Sequence, residues 1–190
     1  MADVANVADV ADVADVTNLA GVAGVAPYLI ALLVHGVVGG FDVLVNHELL
    51  GKAPRLANSR PEQRLHSARE LVFAAIFSAL AWYEWHGLLA AVIVLLFVAE
   101  VFISTLDTVL EFAIRTLPVP ERVAHVVLFI NLGVIMTLVG QHLLVWAAQP
   151  TALVAVHHGA ASWMLSALAG GALLWSVRDA LNVWQCRHSV

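Results

Sequence analysis

The sequence predicts an all-α integral membrane protein with five transmembrane helices. Two parallel helical-hairpin repeats form a four-helix unit, and one extra helix packs against it. Three observations carry this prediction. First, 61% of the 190 residues are hydrophobic and 12% are charged, whereas soluble domains carry about 25% charged residues. The mean hydropathy is +0.87. Second, five apolar runs each approach the roughly 20 helical residues that cross a bilayer core. Third, all nine Lys and Arg fall on one side of the resulting topology.

Residues 1–26 form an acidic, low-complexity tail in which Ala-Asp-Val occurs four times. A period of three drifts around a helix of period 3.6, so no stable polar face results. The tail also lacks the basic segment of a signal peptide. It is expected to be poorly ordered and extracytoplasmic.

The single transmembrane domain is expected over residues 27–177, with spans at about 27–46, 67–86, 88–112, 122–147 and 152–177. Gly51, Pro54 and Pro61 break the chain after the first span, and His86-Gly87 makes a tight turn after the second. Pro118 and Pro120 interrupt it after the third, and Gln149-Pro150 after the fourth. Residues 178–190 are read as a cytoplasmic tail.

Lys52, Arg55, Arg60, Arg64 and Arg69 border the first loop, Arg115 and Arg122 the third, and Arg178 and Arg187 the C-terminus. The positive-inside bias then places the N-terminus outside and the C-terminus in the cytoplasm, in a bacterial inner membrane.

A pattern occurs twice. Asp42-x3-Asn46 precedes Pro61-Glu62-Gln63-Arg64-Leu65-His66, and Asp107-x3-Glu111 precedes Pro120-Glu121-Arg122-Val123-Ala124-His125. Spans 1 and 3 run inward and spans 2 and 4 return, so the copies are parallel repeats about an axis along the membrane normal. His35, Asp42 and Asn46 share the spacing of Glu100, Asp107 and Glu111, which keeps each trio on one helical face. The fifth span has no counterpart.

The repeat gathers acids and imidazoles at the cytoplasmic ends of four helices. Carboxylates in or near hydrocarbon must be paired, protonated or bound to a cation. Inward-facing His and carboxylate groups from four helices are how dinuclear bundle sites are built. The expected ligands are His47, Glu48, His66, Glu70, Asp107, Glu111 and His125. Asp42 and Asn46 are ligands or partners behind them, and Glu48 and Asp42 are the candidate acid–base groups. His35 and Glu100, near mid-bilayer, would form a Glu–His pair or relay. The soluble di-iron bundles use Glu-x-x-His, and His66-x3-Glu70 departs from that, so the likeness is architectural.

The donor set suits two divalent metal ions, iron ahead of zinc or manganese. The lone Cys186 excludes an internal disulfide and a Cys-based metal site. No basic face remains for nucleic acid. Glu84, His86, His142, His157 and His158 do not follow the repeat and are read as interfacial or packing residues, and the tryptophans as an aromatic belt.

The expected function is a metal-dependent oxidoreductase: an oxygen-activating oxidase, hydroxylase or desaturase acting on a membrane lipid or lipophilic small molecule. An electron donor, a partner membrane subunit or a homodimer would complete it. A di-zinc lipid hydrolase uses the same residues, with metal-bound hydroxide attacking and Glu48 as base. A divalent-metal or proton transporter would use His35 and Glu100 as steps.

Overall fold

The computed structural model describes residues 25–45, 60–114 and 116–185. Asn46, His47, Glu48, Arg115, Cys186, Arg187 and the acidic tail up to residue 24 lie outside the described residues. So do the first-loop residues Gly51, Lys52, Pro54 and Arg55.

The chain is mostly helical. α1 is Pro27–Phe41, and α2 is Arg60–Trp82. α3 is Ala90–Ile114, α4 is Val119–Ala147, and α5 is Ala160–Gln185. Pro27 starts α1, and Pro120 stands in the first turn of α4. Their rings preset φ where no intrahelical N–H bond is lost. Pro61 occupies the same place in α2. The repeated Pro-Glu is thus a helix start in both copies. The final turn of α1 widens into a π-helical turn over residues 42–45.

Four helical stretches are long and apolar enough to cross a membrane: Pro27–Val45, Gly87–Ala113, Val119–Ala147 and Ala160–Gln185. α2 differs because Arg64, His66, Arg69 and Glu70 occupy its early turns, leaving a shorter apolar stretch from Leu71 to Trp82. The side chains are distributed inside out relative to a soluble bundle. Leu95, Phe102, Val109, Phe112, Ile130 and Leu144 are exposed, whereas Asp42, Glu100, Asp107, Glu111 and Glu121 are at most 1% exposed. This is the pattern of a chain solvated by lipid.

The helices close into a ring. α2 packs on α5 and α3, and α1 packs on α4 and α5, while α3 meets α4 lightly. The two helices of each sequence hairpin hardly touch one another. The expected addition of α5 outside a four-helix unit is therefore corrected: α5 sits between α1 and α2. Serines hold it there. Ser67 Oγ donates to the Ser176 carbonyl at 2.8 Å and Ser176 Oγ donates to the Ser67 carbonyl at 2.7 Å. Trp82 Nε1 donates to Ser166 Oγ at 2.8 Å, and Ser162 Oγ donates to the Ala81 carbonyl at 2.7 Å. Small hydroxyl residues let two backbones approach and supply hydrogen bonds that lipid cannot.

At the end opposite the repeated motif, α2 does not continue to residue 86. β1, Tyr83–Trp85, pairs antiparallel with β2, Leu153–Ala155, in the register Glu84↔Val154. This ribbon takes the end expected for the second span and the start expected for the fifth. Gly87, at φ +58°, reverses the chain directly against Thr151. α5 begins later than expected and runs past residue 177, so Arg178 belongs to a helix, over the Trp175 ring.

The apolar core occupies the ribbon half of the ring, with Leu29, Leu32, Ile76, Leu80, Ile93, Ile135, Val139 and Leu165 as its fully buried members. The other half encloses the acids and imidazoles.

Candidate metal centre

α3 places Asp107 and Glu111 one turn apart on its inward face, and α2 presents His66 to both. His66 Nε2 lies 3.3 Å from Asp107 Oδ2 and 3.6 Å from Glu111 Oε1. On the other side, His125 Nδ1 of α4 lies 3.4 Å from Glu111 Oε2. Glu111 thus offers one oxygen to each imidazole. Its carboxylate belongs to two groups of donor atoms, each within 4.8 Å of one another: His66, Asp107 and Glu111, and Glu111, Glu121 and His125.

A charge-assisted N–H···O bond closes to about 2.7–2.9 Å. Two donors each about 2.1 Å from one ion, and about 90–110° apart, stand about 3.0–3.4 Å from each other. The 3.3, 3.4 and 3.6 Å separations are compatible with a shared ion, as they are with a loose ion-pair network like that of Arg69 and Asp107 at 3.2 Å.

Asp42 and His125 show how an imidazole could be oriented. Asp42 Oδ2 faces Nε2 of His125 at 3.3 Å, on the ring edge opposite Glu111. A ring whose Nδ1 is a ligand carries its proton on Nε2 and donates it to a carboxylate, which fixes tautomer and orientation. The π-helical turn at residues 42–45 begins at this aspartate, and such turns recur at functional positions.

The remaining sequence candidates separate. Glu70 joins neither donor group and lines a pocket between α1, α2 and α5. The expected Glu100–His35 pair does not form. Glu100 Oε1 accepts from Ser104 Oγ at 2.5 Å, one turn along α3. His35 stacks on Phe73, with ring centroids 4.3 Å apart, and its Nδ1 accepts from Asn131 Nδ2 at 3.3 Å. His47, Glu48 and Asn46 lie outside the described residues.

One residue of the donor groups was not among the expected ligands. Glu121, wholly buried in the first turn of α4, contributes to the second donor group. Its signal was the spacing Glu121-x3-His125, which sets both on one helical face. A carboxylate there also meets the positive end of the helix dipole. The sequence leaves Arg69 free to pair with the acids or to reach the headgroups; it turns inward, its Nη1 donating to Asp107 Oδ2 at 3.2 Å. Arg64 and Arg122 are exposed as expected.

At the ribbon end the histidines pack against aromatic rings. Tyr28 meets His142 edge-on at 4.9 Å and reaches His158 Nε2 at 3.4 Å. His157 lies against Trp82, and His86 Nε2 pairs with Glu84 at 2.9 Å. Burial pushes the His158 imidazole below its usual range. None of these joins a donor group of three among the described residues.

Comparison of the chain with protein families, with curated proteins and with solved structures gave no match.

Proposed function

We propose that the chain is an integral membrane metalloenzyme whose five helices hold a dinuclear His/carboxylate site near their cytoplasmic ends. Its reaction is the oxygen-dependent oxidation of a lipophilic substrate. The observation that carries this reading is the Glu111 carboxylate, directed at His66 through one oxygen and at His125 through the other. A carboxylate bridging two ions needs that arrangement, and a simple ion pair does not.

The chain's own residues then have separate tasks. Glu111 holds the two ions together. His66 and Asp107 complete one half of the site, and His125 and Glu121 the other. Asp42 fixes the His125 ring, and Glu48, six residues further along the chain, is the candidate base. Arg69 neutralises part of the charge on Asp107, which makes the two halves inequivalent. The surrounding apolar helices exclude water. Two iron ions would supply oxygen activation; two zinc ions in the same ligands would supply an activated water for lipid hydrolysis.

Pairwise packing supports the repeat. α1 on α4 and α2 on α3 are the equivalent contacts of two parallel copies, and α5 interrupts the ring at one position. The bias of Lys and Arg toward this end supports a cytoplasmic site.

A structural ion-pair network is the competing reading, and the Arg69–Asp107 contact favours it locally. Metal analysis and a visible spectrum of the purified protein test the proposal. Iron with a ligand-to-metal band supports oxidation, and colourless zinc supports hydrolysis. Absence of metal after expression in metal-replete medium returns the cluster to a salt-bridge network.

A further inference from the structure

A pocket of about 260 Å³ lies between α1, α2 and α5. An engineered apolar cavity of about 150 Å³ admits benzene, so this space takes a single chain or a small ring system. Gly39 and Gly40 of α1 and Ala167, Gly171 and Ala172 of α5 keep its walls thin. A Cβ on Gly40 or Gly171 would meet no heavy atom within 4 Å. Gly40, Ala167 and Gly171 are exposed, so the space opens between α1 and α5 toward the side that lipid would occupy. Gly36 and Leu168 line it as well, with the Leu168 side chain lying against Gly36.

The lining residues that carry polar groups are His35, Arg69, Glu70 and, through its indole N–H, Trp175. Glu70 is buried and stands next to Arg69 in sequence, and Arg69 is already engaged by Asp107. Glu70 is engaged as well, so this end of the pocket is polar but carries no uncommitted charge. Such an end suits a neutral oxygen head, a hydroxyl or carbonyl, over a carboxylate or phosphate, which would be buried without a cation to pair it. Arg69 also joins the pocket to the metal centre, since its Asp107 partner lies 3.3 Å from His66.

We infer that this pocket binds a single-chain lipophile with a neutral hydroxyl or carbonyl head, entering from the bilayer between α1 and α5. That the occupant is the enzyme's substrate rests on the proposed oxidation; that the pocket takes it does not.

Photolabelling of the full chain in lipid nanodiscs tests this, using a diazirine-bearing hexadecanol with the matching hexadecanoic acid as comparator. The alcohol should label residues 36–44 and 167–175 and outcompete the acid. Gly171→Leu and Ala167→Leu, which place side chains into the opening, should each lower labelling roughly tenfold while eluting as folded protein and retaining metal. His66→Ala should lose metal and still be labelled. Unchanged labelling in both pocket variants, or preference for the acid, would overturn the inference. Normal labelling in wild-type protein that holds no metal would sink the metal centre alone and leave the pocket standing.

Discussion

Arg69 of α2 donates to Asp107 of α3 at 3.2 Å, inside the helix ring and away from the headgroups. The Asp107 oxygen it meets is also the one nearest His66. The contact locks α2 to α3 and sets the charge of one half of the site. Breaking a buried pair from one side costs about 3–5 kcal/mol. Arg69→Leu should therefore lower the unfolding temperature in detergent markedly. The double variant Arg69→Leu/Asp107→Leu should recover part of that loss, so thermal unfolding of the two single variants and the double variant closes a cycle. Additive effects would show that the pair is not coupled.

Glu111 belongs to both donor groups, whereas Glu121 belongs to one. Removal of the shared carboxylate should weaken both ions. Glu111→Ala is expected to bind almost no metal after dialysis, and Glu121→Ala to retain roughly one ion of two. Titration of the dialysed proteins with iron or zinc, read by metal analysis, distinguishes the two variants. Equal losses would contradict the shared role of Glu111.

Asp42 faces the far edge of the His125 ring. A partner of this kind typically changes metal affinity about 10–100-fold without being a ligand. Asp42→Asn should thus weaken binding while leaving two ions bound at saturation. A lost equivalent at saturation would make Asp42 a ligand instead.

At Gly36 of α1 an added Cβ would stand 2.6 Å from Leu168 Cδ1 of α5. Gly36→Val should destabilise the fold by about 1–3 kcal/mol through overpacking. Gly171→Ala, in open space, should leave the unfolding temperature nearly unchanged. A Gly36→Val variant as stable as wild type would show that the seam yields.

His158 carries a pH dependence of definite sign. Burial holds its imidazole below the ordinary value of 6.5, with Glu84 opposing this and His157 and His142 adding to it. The unfolded chain then binds more protons than the folded one as pH falls past about 6.5, so stability is full above that value and declines below it. His158→Gln should flatten the fall in unfolding temperature on acidification, and an unaltered slope would exclude His158 as its source.

Much of this arrangement is legible in the sequence because lipid imposes strong rules. The helices at α1, α3, α4 and α5 follow from apolar run length, and the convergence of His66, Asp107, Glu111 and His125 follows from matched spacing in two copies. Glu121 escaped because the same Pro-Glu that starts a helix also supplies a donor, and one role hid the other. The place of α5 was not legible because Ser162, Ser166 and Ser176, though they share one helical face, are small and neutral and name no partner helix. The ribbon between Glu84 and Val154 pairs residues far apart in sequence, and three-residue strands leave no pattern to read. Arg69 shows a rule overridden: a buried aspartate attracted it more strongly than the membrane surface.

The central claim is that Glu111 bridges two metal ions held by His66 and His125. The most direct measurement is metal per chain in protein purified under metal-replete conditions, for wild type, His66→Ala, His125→Ala and His157→Ala. The account predicts about two ions in wild type and in His157→Ala, and a sharp loss in each of the other two. Metal content unchanged by both His66→Ala and His125→Ala, or no metal in any of the four proteins, would contradict it.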